Sequence, residues 1–186
     1  MGKGTTSYRI KDENGLYFLT CATVEWIDVF TKPRYKNIFT DSVNYCIENK
    51  GLTVFGWVLM TNHFHMIAKA QEGYKLSGIL RDMKKHITKQ ILSMLKEESD
   101  SRKEWILKEM RAAGERNSKE QKYQLWRNDN HPIQLLKSKT IEQKLNYIHA
   151  NPVKEGIVSK PEDYIYCSAQ DYIGLEGRIN IELSMI

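Results

Sequence analysis

The sequence predicts an α+β fold, a ferredoxin-like (RRM-like) antiparallel sheet with helices on one face and one further helix appended. Three observations carry that expectation. Segments rich in aromatic and β-branched residues alternate with segments of helical period in the order β-α-β-β-α-β, which is the order of that sandwich. The two middle strand segments are joined by only Thr61 and Asn62, a link that suits a tight connection or a bulge. The chain has 186 residues, 41% apolar and 27% charged, enough for one packed core and too short for a second large domain. All of 1–186 is therefore expected to be a single domain, with a core over about 8–155 and an irregular tail over about 156–186.

Each element has its own signal. Leu16 to Val24 (LYFLTCATV) reads as the first strand. Pro33 to Lys50 has helical spacing, with Ile38, Val43, Cys46 and Ile47 as inward positions and Gly51 as its stop. Thr53 to Met60 (TVFGWVLM) and His63 to Ala70 (HFHMIAKA) are the next two strands. A long helix is expected from about Lys75 to Leu95, because Leu76, Leu80, Met83, Ile87, Ile91 and Met94 step by three or four. Glu97 to Lys122 carries charges of both signs and reads as a solvated helical excursion. Tyr123 to Trp126 and Ile133 to Leu136 read as short strands around a turn at Asn128 to Pro132. A last helix is expected from about Thr140, its cap, to Asn151, with Pro152 ending it because the residue before proline avoids the α region. Tyr164, Tyr166 and Tyr172 are aromatic anchors in the tail.

Composition narrows the function classes. No apolar run approaches the roughly 18 residues of a membrane span. Residues 1–7 lack the apolar stretch of a signal peptide, and Gly2 followed by Lys3 is a weak acylation signal. Cys21, Cys46 and Cys167 are scattered and odd in number, which fits buried thiols in a reducing compartment rather than a disulfide frame or a zinc ribbon. A cytoplasmic protein is expected. The net charge of +5 fits a polyanionic partner, although many unrelated proteins share it.

Chemistry concentrates at two places. His63 and His65 are two apart on a strand, so both imidazoles leave the same face about 6.5–7 Å apart along it. Two such rings can converge on one metal ion, or can be half-exposed histidines that bind nothing. An octahedral ion would need a third ligand and open positions. His86 sits among lysines and His131 precedes a proline. In the late helix, KLNYIHANPVKEG, Tyr147 and Asn151 are four apart and share a face, whereas His149 lies about 200° round from Tyr147. If Tyr147 faces the metal, Asn151 can reach it too, and its neutral amide oxygen suits Mg²⁺ or Mn²⁺ better than zinc. Without the histidines, Tyr147 would read as a core aromatic.

VLMTNHFHMI, followed about 80 residues later by YIHANPVKEGIV and then PEDYIYCSAQDY, resembles the IS200-like single-tyrosine transposases. Among their branches it looks most like the REP-associated tyrosine transposases. The resemblance runs from the strand at Leu16 to about Tyr172. It implies that His63 and His65 form a histidine–hydrophobic–histidine metal site, that Asn151 is its third protein ligand for Mg²⁺ or Mn²⁺, and that Tyr147 is the nucleophile. It implies a single-stranded DNA substrate, often with hairpin ends, and a 5′-phosphotyrosine intermediate. It also implies the ferredoxin-like fold, and it allows a homodimer in which the partner supplies the tyrosine. One departure is visible: Thr61 stands where the family often has proline. Arg81, Lys84, Lys85 and Lys89, away from the apolar stripe of the long helix, are candidate DNA-backbone contacts, as are Arg9 and Lys11; a solvated charged face is the other reading. Two further readings of the whole stay open. One is a non-catalytic, domesticated binder of single-stranded nucleic acid on the same fold. The other is a metal-dependent phosphodiesterase in which water attacks and Tyr147 is structural.

Overall fold

The computed structural model describes residues 9–97, 101–117, 121–128 and 131–183. The expectations for residues 1–7, and part of the turn expected at 128–132, lie outside the described residues. Strands β1 (Tyr17–Ala22), β2 (Leu52–Leu59), β3 (His63–Ala70) and β4 (Ile133–Gln134) form one sheet in the order β2-β3-β1-β4, antiparallel throughout. The helices are α1 (Pro33–Lys50), α2 (Leu76–Glu97), α3 (Lys103–Glu115) and α4 (Ser138–Lys154). This is the expected α+β, ferredoxin-like arrangement with a helix added.

Strand alternation sorts the layers. On one face of β3, Phe64 meets Phe39 of α1 at a ring separation of 4.9 Å, and Phe39 also meets Trp57 of β2 at 6.2 Å. Helices α1 and α2 pack together as the layer on that face. On the other face, His65 meets Tyr147 of α4. The sheet is thus covered behind by α1 and α2 and in front, in part, by α4. Buried residues from Leu16 to Ile179 form one continuous core.

Helix α1 starts with Pro33 at its first position and stops at Gly51, whose left-handed backbone (φ 67°) lets its N–H reach the Cys46 carbonyl. Its buried stripe is rotated from the expected one. Tyr35, Phe39, Val43 and Cys46 face the core, while Ile38 and Ile47 are only partly buried, because the aromatic rings take the space under the sheet. In α2, Leu95 rather than Met94 completes the stripe. The charged segment after it is less solvated than expected: α3 buries Ile106, Met110 and Ala113. Tyr123 to Trp126 is not a strand and makes only an isolated bridge, Trp126 to Thr23. Helix α4 begins at Ser138, capped by the Lys137 backbone without a side-chain bond, so Thr140 is not the cap. Pro152 does not end it. The helix runs on to Lys154 because Asn151 and Pro152 are both buried, and that packing holds residue 151 in the conformation proline disfavours.

The tail closes an edge. Leu59 donates to the Tyr166 carbonyl at 2.9 Å, Ser168 to the Trp57 carbonyl at 2.9 Å and Glu182 to the Val54 carbonyl at 2.8 Å. The expected anchors fasten it: Tyr164 donates its hydroxyl to the Leu59 carbonyl at 2.8 Å and Tyr172 to the Phe55 carbonyl at 2.7 Å. Strand β2 is therefore not left as a free edge. Cys21, Cys46 and Cys167 are buried and none is in a disulfide. Among the described residues no helix is long and apolar enough to cross a membrane.

One glycine lies directly under α4. A bulge interrupts the β2–β3 register between Val54 and Gly56. A Cβ on Gly56 would lie 2.5 Å from Leu145 Cδ1 of α4, so a larger residue there has to displace the Leu145 side chain. Gly56→Val is expected to destabilise the fold by about 1–3 kcal/mol through overpacking. A lowered urea midpoint at unchanged slope is the check.

Candidate active site

The registers of β1 and β3 build the floor of the site. Antiparallel pairing sets Thr20 opposite His65, Phe18 opposite Ile67 and Ala22 opposite His63, so these residues share one face. The two imidazoles lean together from their strand positions to a centroid separation of 4.9 Å.

Each ring is oriented through Nδ1. His63 Nδ1 lies 2.8 Å from Asn62 Oδ1. The Asn62 amide is itself oriented, because its Nδ2 donates to Asp28 Oδ1 at 3.1 Å and to the Trp26 carbonyl at 3.3 Å, both acceptors only. Oδ1 therefore faces His63 and can only accept, so His63 Nδ1 carries the proton and Nε2 keeps its lone pair. His65 Nδ1 is hydrogen-bonded with Thr20 Oγ1 at 2.9 Å, and Phe18 stacks on its ring at 5.3 Å. His65 is 5% exposed. Burial, then the neighbouring His63 and Lys144, push its pKa down to about 3. Burial also lowers the His63 pKa, against the opposing pull of Glu155. Both rings are held in the neutral form that metal coordination requires.

Helix α4 supplies the rest. The Tyr147 ring stands edge-on to His65 at 5.1 Å and to Phe18 at 6.0 Å, and it is 40% exposed. Lys144 and Lys154, three residues before and seven after Tyr147, place their ammonium groups 5.8 and 5.4 Å from that ring. Asn151 follows one turn later and is buried. Glu155, one turn further, acts electrostatically on His63. Asn151, four residues after Tyr147, shares its face of the helix. Among the described residues no three His, Cys, Asp or Glu side chains are grouped to hold a metal ion. The two imidazoles and the buried amide on the facing helix are the groups that would hold a metal ion here.

His149 is turned away, as its helical position requires. Its Nε2 is 2.9 Å from Ser168 Oγ, its ring meets Tyr172 at 5.1 Å, and burial lowers its pKa to about 4. His86 and His131 are exposed. The basic residues of α2 are not brought to the histidines. Arg81 pairs with Asp82 at 2.9 Å on the surface, and Lys85 and Lys89 are exposed on the helix layer behind the sheet. Lys84 places its Nζ 3.4 Å from the Arg127 carbonyl. Sequence reasoning missed Thr20, Asp28 and Trp26, which reach the site only through pairing and loop closure. Asn62, Lys144 and Lys154 were legible as neighbours of the histidine motif or as residues on the face of Tyr147.

A family model described as Transposase IS200 like matches residues 11–110. A solved REP-associated tyrosine transposase bound to a REP hairpin is similar over 100% of this chain and 95% of its own, at 18% identity and a TM-score of 0.63, which bears out the fold. A Deinococcus radiodurans R1 protein classed provisionally as a transposase is similar over 80% of this chain and 98% of its own, at 17% identity and a TM-score of 0.44. No curated protein matches the sequence.

The lowered histidine pKa values fix the sign of a pH effect. An imidazole held below its ordinary 6.5 is protonated first in the unfolded chain. The stability that it contributes is complete above pH 6.5 and is lost as pH falls toward about 3 for His65 and about 4 for His149. Urea midpoints are therefore expected to fall between pH 7 and pH 4. The His65 ring signals in NMR are expected not to titrate above about pH 5.

Proposed function

Given that this chain belongs to the IS200-like transposase family, we propose that it cleaves and rejoins single-stranded DNA, with Tyr147 as the nucleophile. The observation that carries this reading is the Tyr147 ring set against His65 within one chain. His63, His65 and Asn151 would hold Mg²⁺ or Mn²⁺. When bound, such an ion supplies positive charge that neutralises the phosphate and stabilises the leaving oxygen. The imidazoles and the amide are neutral, so they leave that charge undiminished.

The chain's own groups do the remainder. The Tyr147 phenol gives its proton to solvent and its oxygen attacks phosphorus, forming the Tyr–O–P bond. The bond from phosphorus to the 3′ oxygen breaks, and that oxygen takes up a proton as a free 3′-OH. The product is a 5′-phosphotyrosine. Because the phosphoester is conserved, a second 3′-OH can displace the tyrosine and reseal the strand without ATP. Lys144 and Lys154 put positive charge beside the ring, where negative charge passes during attack.

The REP-associated relative was solved bound to a REP hairpin, which supports a hairpin-bearing strand as the substrate here. Arg81, Lys84, Lys85 and Lys89 would then act at a distance from the cleavage point, on flanking DNA backbone. One copy carries the histidines and the tyrosine together, so a homodimer is not needed to complete the set. The setting is a single-domain protein in the cytoplasm.

With single-stranded DNA bearing hairpins from its own locus and Mn²⁺, denaturing gels are expected to show a covalent adduct that disappears in Tyr147→Phe and with EDTA. Cleavage that survives Tyr147→Phe would transfer the attack to water. Tight binding without cleavage would leave a nucleic-acid binder. Asn62→Ala, which removes the acceptor that orients His63, is expected to weaken Mn²⁺ binding by roughly 10- to 100-fold in calorimetry.

A further inference from the structure

The segment after β1 holds two consecutive non-glycine residues in the left-handed region, Glu25 at φ 48° and Trp26 at φ 55°. That conformation is costly for L residues and persists only where the surroundings impose it. Here they do. Val24 donates to the Leu125 carbonyl at 2.9 Å, Thr23 Oγ1 to the Ile27 carbonyl at 2.9 Å, and Asn62 Nδ2 to the Trp26 carbonyl at 3.3 Å. Arg116 pairs with Glu25 at 2.6 Å. All this leaves a tryptophan 51% exposed rather than packed into the core. The position of its indole gives the strain a use. The ring meets His63 edge-on at 6.0 Å and so heads a line of rings, Trp26, His63, His65 and Tyr147, whose later spacings are 4.9 and 5.1 Å. The Arg127 guanidinium sits 5.6 Å from the indole centroid and is exposed.

We propose that Trp26 is the stacking platform for an unpaired nucleobase next to the phosphate that the histidines and Tyr147 engage, with Arg127 taking that nucleotide's own phosphate. A flat, exposed indole beside a cation is what a single-stranded base and its backbone recognise, with little dependence on base identity. Holding the loop from three sides keeps the indole on the surface before DNA arrives, so little ordering is left for binding. This platform rests on the reading of single-stranded DNA as the substrate.

The test uses the full chain carrying Tyr147→Phe, so that only binding is read, with two dye-labelled probes: dT12 and an abasic 12-mer with the same phosphates. Trp26→Ala, its fold checked by circular dichroism, is expected to bind dT12 roughly tenfold or more weakly, with under about twofold change on the abasic strand. Trp26→Phe should restore most of the dT12 affinity. Arg127→Ala should weaken both probes and flatten the salt dependence. Tyr45→Ala, an exposed aromatic on α1 behind the sheet, should change neither. Independently of the alanine variant, dT12 and not the abasic strand should quench indole emission, and Trp26→Phe should abolish that quenching. Unchanged dT12 binding in Trp26→Ala overturns the platform, and so do equal losses on both probes, a matching loss in Tyr45→Ala, or quenching that survives Trp26→Phe. The covalent-adduct assay separates this from the broader reading. An adduct formed while Trp26→Ala binds normally removes only the platform. Base-dependent binding through Trp26 with no adduct removes only the catalysis.

Discussion

The antiparallel register of β1 on β3 is the constraint from which the rest of the site follows. It sets Thr20 across from His65 and Phe18 two pairs further along, on the same face, so the same ladder that joins the two central strands also orients one imidazole and covers its face. A slip of one residue would turn Phe64 outward and send both histidines into the layer under α1. Phe64 prevents this. It is fully buried against Phe39 and Trp126, and its removal from that layer would expose a large apolar surface. The apolar face thus holds the register on which the polar face depends.

Around that ladder, each end of the histidine pair is tied to a different piece of the fold. Asn62 belongs to the β2–β3 link, yet it spans the Asp28 carboxylate, the Trp26 carbonyl and His63. Its own carbonyl accepts from the Thr23 backbone at 2.8 Å. One asparagine therefore couples the loop after β1 to the tautomer of a candidate ligand. His65 is held by sheet and helix instead, between Thr20, Phe18 and Tyr147. Burial keeps it uncharged, and a neutral ring in that position costs less than an imidazolium among Lys144 and its neighbours.

The tyrosine arrives from far along the chain and depends on packing that has nothing to do with catalysis. Gly56 leaves room for the Leu145 side chain of α4. The tail binds along β2 through Tyr166, Ser168 and Glu182 and shields the strand beside which α4 rests. Pro152 and Asn151 are buried together at the end of α4, so the helix carries on past the proline and keeps Asn151 on the face of Tyr147.

The pairing of the histidine–hydrophobic–histidine strand with a tyrosine helix was legible only through the family resemblance. The order of elements, the span of α1 and the span of β3 were legible in the sequence, because each is a local pattern: a period of two, a period near four, a proline at a start, a glycine at a stop. The turned-away His149 was legible for the same reason, since helical geometry alone separates it from Tyr147. What could not be read there was anything that depends on which segments meet. Thr20 and Phe18 enter the site through strand register, Trp26 and Asp28 through a strained loop closed by Asn62, and the solvated look of the segment around α3 hid a buried face. The basic row on α2 was visible as a row, but its place behind the sheet was not. Local sequence determined the chemistry that the chain carries. Only long-range packing, which sums burial and register over residues far apart in the chain, decided which of those groups stand together.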